Sequence, residues 1–172
     1  MLSVNINEIR NLGPFAPVYK WGLEFLKNPL PLSDREISIR CLSTEVPRST
    51  NQSIDIQLHG HHVKQPGISD SSHTITMAFA ENITNEISNA LKVWREMCWR
   101  LKEGTAEYKM DLEAVVKITL LDQKDLPRWY FILHGVYLED YDPIGTQLDG
   151  VTSDIQRPTW TLSYDYFEDG AL

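Results

Sequence analysis

Residues 53–64 read SIDIQLHGHHVK, and the reading of this stretch decides what kind of fold the chain has. Ile54, Ile56 and Leu58 alternate with Asp55, Gln57 and His59, the period of two expected of a strand whose successive side chains point to opposite faces. On that reading His59 and His61 share the polar face. Three histidines fall between residues 59 and 62, so the stretch also asks whether it is a metal site, a general base or polar lining.

The same alternation recurs outward in both directions. YKWGLEFL (19–26) sets Tyr19, Trp21, Leu23 and Phe25 on one side, and EISIRC (36–41) does so with Ile37, Ile39 and Cys41. HTITMAF (73–79) opposes Ile75, Met77 and Phe79 to Thr74, Thr76 and Ala78; EAVVKITL (113–120) opposes Ala114, Val116, Ile118 and Leu120 to Glu113, Lys117 and Thr119. TWTLSYDYF (159–167) opposes Trp160, Leu162, Tyr164 and Tyr166 to Thr159, Thr161, Ser163 and Asp165. All predict half-buried strands. RWYFILHGVYLE (128–139) is apolar on both faces, as a strand covered on two sides would be.

One segment breaks the period of two. Between residues 82 and 102, Ile83, Ile87, Ala90, Leu91, Trp94, Cys98 and Leu101 fall at helical spacing, with Asn82 as N-cap and Gly104 past the end. Val93 and Trp99 lie off that stripe and mark a candidate partner surface. Turn-forming clusters separate the elements at residues 27–35, 44–52, 63–72 and 139–158.

A chain of 172 residues with 42% hydrophobic and 23% charged content is suited to a single folded domain rather than to disorder. Its 24 acidic and 16 basic residues give a formal charge of −8, which argues against a surface that grips phosphate. Cys41 and Cys98 belong to no CxxC pattern and read as buried thiols of a reducing compartment. The first residues lack the basic start and apolar core of a signal peptide, so synthesis in the cytoplasm is expected.

His59 and His61 would chelate a transition metal only with further ligands, and no spaced Cys, His or Glu supplies them. Glu139, Asp140 and Asp142 lack the register of a calcium loop. No GxSxG, Walker, GxGxxG or HExxH pattern occurs. The expectation is therefore no catalytic residue, no cofactor and no metal.

The order of parts carries more information than any motif. An N-terminal arm, YKWGLEFL, EISIRCLSTEVP, a polar hairpin-like stretch containing KQPG, HTITMAF, a Trp-bearing helix and a terminal WTLSYDYFE together resemble the tail tube proteins of T-even-like contractile phages. Leu42–Pro47 and Leu162–Glu168 match the family's strand-to-turn and terminal-strand positions, with EVP in place of its LP turn.

That resemblance implies a mainly β fold: a two-sheet barrel or sandwich in one domain, with an N-terminal arm (1–17), a long projecting hairpin (48–72) and one flanking helix (82–102). It implies homohexameric rings stacked into a hollow tube of the virion tail. The implied partners are the tail sheath, a baseplate or tube initiator, a tape-measure protein in the lumen, and DNA passing without specific binding, with no membrane. Combined with strand alternation, it sets Asp55, Gln57, His59, Thr74, Thr76, Glu113, Thr161, Ser163 and Asp165 toward the lumen. Lys64, Gln65, Pro66, Gly67, Ile68, Ser69 and Asp70 would meet the next ring, and Lys92, Arg95 and Glu96 the sheath. Three other readings stand beside it: the tube of a type VI secretion or phage-derived injection system, a tube-nucleating baseplate protein, and a small β-barrel metal-binding protein using the histidine strand.

Overall fold

The computed structural model describes residues 5–145, 148, 150–151 and 153–172. Residues 1–4 of the expected arm, and 146, 147, 149 and 152 of the expected turn region 139–158, lie outside the described residues. In chain order the elements are α1 (Ile6–Asn11), β1 (Trp21–Lys27), α2 (Asp34–Arg40), β2 (Cys41–Thr44), β3 (Ser49–Leu58), β4 (His61–Ser71), β5 (Thr74–Phe79), α3 (Glu86–Cys98), α4 (Lys109–Leu112), β6 (Ala114–Leu121), β7 (Pro127–Asp142), β8 (Thr159–Ser163) and β9 (Tyr166–Ala171).

Seven strands join in the order β1-β6-β7-β8-β5-β2, with β9 also on β7, and all described pairings are antiparallel. The 16-residue β7 is the spine. Its first half pairs with β6 and β9, and its second half pairs with β8, so one strand serves both sheets. Gly135 sits at the changeover with φ +67, where a Cβ would fall 2.2 Å from an Asp165 carboxylate oxygen. The left-handed backbone favours glycine there, and the Asp165 carboxylate fills the space that a side chain would take.

The alternating apolar residues meet between the sheets. Leu23, Phe25, Val116, Ile118 and Leu133 come from one side, and Ile75, Met77, Phe79, Trp160 and Leu162 from the other; all are buried. Helix α3 adds Ile87, Leu91 and Trp94 to the same cluster. Trp94 stands edge-on to Trp160 at 6.0 Å and donates its indole N–H to the Leu112 carbonyl at 2.8 Å. The expected mainly β architecture with a flanking helix and projecting hairpin is what forms, joined by the short helices α1, α2 and α4.

Several local expectations change. EISIRC is not a strand: residues 34–40 form α2, because Ser33 and Glu36 make a reciprocal capping box and Ile37 and Cys41 then share the buried side. Ile39 consequently points outward. Helix α3 is shorter than residues 82–102: Asn85, at φ 54, is the N-cap rather than Asn82, and the helix stops at Cys98. Ile83 and Leu101 therefore lie outside it and are exposed. The Glu81 carboxylate accepts the backbone N–H groups of Ile87 and Ser88 at 3.2 and 2.7 Å, the role that an N-cap side chain would otherwise fill.

At the C-terminal end, residues 159–167 are two strands rather than one. Tyr164 is buried, the chain turns at Asp165, and Tyr166 emerges exposed on β9. Residues 139–142, expected in a turn, extend β7. Tyr19 precedes β1 and is exposed.

Candidate functional site

Strands β3 and β4 form a two-stranded sheet of their own. Their 10 and 11 residues reach about 33 Å at roughly 3.3 Å per residue. The turn is the two residues His59 and Gly60, both at positive φ (50 and 83), which matches the twist of a tight hairpin. His59 is thus a turn residue and does not share a strand face with His61.

Register pairs Ile54 with Gln65, Ile56 with Val63 and Leu58 with His61, while Asp55 faces Lys64 and Gln57 faces His62. One face is therefore largely apolar and the other polar. Ile54, Val63 and Leu58 are 51%, 53% and 64% exposed: the alternation read from the sequence is present, but the apolar face is not half-buried within the subunit. Asp55 and Lys64 approach only to 3.9 Å.

The residues expected at the next ring, Lys64–Asp70, lie along β4 and not at the tip. Pro66 and Gly67 do not form the turn. They mark a register shift opposite Asn51–Ser53, and a Cβ at Gly67 would come within 3.1 Å of the Gln52 carbonyl oxygen. A proline without a donor is tolerated at such an irregularity of an edge strand.

The nine residues assigned to a lumen separate into distinct places. Thr74 and Thr76 on β5 pair with Ser163 and Thr161 on β8, and Asp140 on β7 pairs with Thr161 from the other side. These make one polar strip across a sheet face. Glu45 borders it, its backbone N–H donating to the Thr76 carbonyl at 3.0 Å and its carboxylate accepting the Thr76 N–H at 2.9 Å. Asp55, Gln57 and His59 are on the hairpin. Glu113 precedes β6 and pairs with Lys27 at 3.1 Å. Asp165 is in the β8–β9 link, its carboxylate paired with Lys109.

On α3, Lys92 and Glu96 are exposed, whereas Arg95 is drawn back over the Tyr141 ring, 5.4 Å from its centroid. A groove between α3 and the end of β7 is lined by Thr84, Ser88, Lys92, Arg95, Tyr141 and Pro143. Trp99, off the core stripe as expected, is exposed. The Cys41 thiol is pushed up to about 12 by burial, so it is a protonated packing group.

The remaining histidines do not converge. His134 stacks on Tyr166 at 4.6 Å, whereas His73 sits at the hairpin root with its Nε2 2.9 Å from Asp70. Among the described residues no group of three or more His, Cys, Asp or Glu side chains is placed to hold a metal ion. Reading by alternation overlooked the root of the hairpin and the capping of α1 by Asn5 and Glu8; for α1 the N-x-x-E spacing was a usable signal.

No protein-family model and no curated protein sequence matches the chain. Solved structures do. A chain of the PVC sheath–tube complex of an extracellular contractile injection system, in the extended state, superposes with a TM-score of 0.65 at 16% identity, over 99% of this chain and 100% of its own. A chain from the sheath/tube terminator of such a PVC system gives 0.67 at 16%, over 93% and 99%. One from the tube-terminating cap of the anti-feeding prophage gives 0.67 at 13%, over 93% and 93%. At these identities the likeness is one of fold, and the fold is that of chains built into contractile injection systems.

Proposed function

We propose that this chain is the repeating subunit of the inner tube of a contractile tail-like machine, assembling as six-membered rings that stack around a channel. The observation that carries this reading is the apolar face of the β3–β4 hairpin. An isolated hairpin is marginal in water, and a long apolar strand pair left open invites aggregation unless a second surface covers it. A neighbouring copy in a ring or stack supplies that surface. The end-to-end likeness to chains of contractile injection assemblies supports the same reading.

In this arrangement the Lys64–Asp70 side of β4 meets the next ring. The strip Thr74, Thr76, Thr161 and Ser163 faces the channel, and the Lys92 and Glu96 side of α3 faces an outer sheath. The partners are further copies of the chain, a sheath, a baseplate initiator and a terminating cap. A formal charge of −8 suits a channel through which double-stranded DNA slides without being held, as in a phage tail with a tape-measure protein. A second reading, an injection particle that passes protein, draws on the sources of the similar solved structures.

Negative-stain microscopy of the purified chain, alone and with a nucleating template, is the test. Rings and open tubes are expected from the native chain, and their loss from Ile54→Ser/Val63→Ser with an unchanged melting temperature. Monomers alone, at every concentration and with template, would sink the reading.

A further inference from the structure

The hairpin leaves the body through Ser72 and His73, and His73 holds a left-handed φ of 55 at that point. Its ring bridges the two parts of the molecule. Nε2 lies 2.9 Å from Asp70 Oδ1 on the hairpin strand β4, and Nδ1 lies 3.1 Å from the backbone carbonyl oxygen of Tyr164 in the body. Both partners are oxygens that only accept, so both ring nitrogens must donate, and only the imidazolium has two N–H groups. A neutral ring would turn a lone pair toward one of the two oxygens and lose that bond.

We infer that His73 is a protonation-dependent latch that fixes the angle between the β3–β4 hairpin and the body, closed when the ring carries both protons and loosened when it loses one. The inference concerns the free subunit and stands whether or not the chain polymerises.

The charged and titratable groups turned toward the ring are few. Asp70 comes from β4; Asp165 comes from the β8–β9 link and is itself paired with Lys109 of α4; the Tyr164 ring lies 6.0 Å away and its hydroxyl bonds Ser72 at 2.8 Å. The Ser72–Tyr164 bond and the bond from the Tyr164 N–H to the His73 carbonyl at 2.9 Å do not use the imidazole, so loss of its proton loosens the hairpin rather than detaching it. The bond to the Tyr164 carbonyl and then the bond to Asp70 raise His73 above its ordinary 6.5, and His73, followed by the Ser71 N–H, holds Asp70 below its ordinary 3.8. A raised histidine contributes fully below its unfolded value and is lost as pH climbs through the folded one. A lowered carboxyl is lost as pH falls through its folded value. The latch is therefore closed from below pH 3.8 to above pH 6.5 and opens on the alkaline side.

The test is nuclear magnetic resonance of the full chain, kept dilute enough to stay monomeric. His73 ring shifts give its titration, and residual dipolar couplings of the β3–β4 amides, against those of the body, give the order of the hairpin. Hairpin couplings should fall with rising pH at the same midpoint as the His73 ring. Asp70→Asn should move both midpoints down together, by roughly one pH unit. His73→Asn, whose side chain tolerates the left-handed backbone, should make hairpin order independent of pH. Couplings that stay constant while the His73 ring titrates, or that change at a midpoint unmoved by Asp70→Asn, would overturn the latch.

Discussion

Trp94 is enclosed on every side and yet carries an N–H, which the Leu112 carbonyl 2.8 Å away accepts. That bond ties α3 to the short turn of α4 just before β6. Trp94→Phe removes the donor and leaves a buried carbonyl unpaired, a loss of about 1–3 kcal/mol. Trp94→Ala adds a cavity beside Trp160 and should cost about 3–5 kcal/mol. Urea unfolding followed by tryptophan-independent circular dichroism measures both. Equal losses from the two variants would show that the hydrogen bond, and not the packing, dominates.

At the scale of elements, the hairpin turn is the place where one substitution should help. His59 occupies a left-handed position that asparagine adopts more readily, and Asn-Gly is the favoured pair for such a turn. His59→Asn is therefore expected to slow amide exchange along β3 and β4, measured by mass spectrometry; faster exchange would mean that the imidazole itself holds the turn. Strands β1, β5, β6 and β8 are legible in sequence because each has one wet and one dry face, as at Ile75, Met77 and Phe79. Helix α2 is masked in the sequence because ISI alternates too, although a Ser33–Glu36 capping box stands at its N-terminus. The apolar side of β3 was read as buried because period alone shows that a face is dry, not whether the same chain covers it. The polar strip illustrates the converse limit: Thr74, Thr76, Thr161 and Ser163 could be placed together from their strands, but Glu113 and Asp165 could not be separated from them without knowing where each strand ends.

For the whole molecule the balance of charge sets how copies approach. Subunits carrying −8 repel one another before any apolar contact forms, and the Debye length shrinks from about 10 Å at 0.1 M salt to about 3 Å at 1 M. The concentration at which tubes appear, followed by light scattering, should therefore fall as salt is raised across that range. A threshold that rises instead would point to ion pairs such as those of Lys64 or Lys92 as the main contacts. None of the described helices is long and apolar enough to cross a membrane. The shared strand β7 also governs when the molecule can form at all. Its two halves take their later partners, β8 and β9, from residues 159–171, so a nascent chain halted before Thr159 on the ribosome has no way to complete either sheet. Completion of the body is thus deferred until synthesis has passed the last of these strands, and under the proposed assembly unfinished chains would have no completed body with which to seed or poison a growing tube.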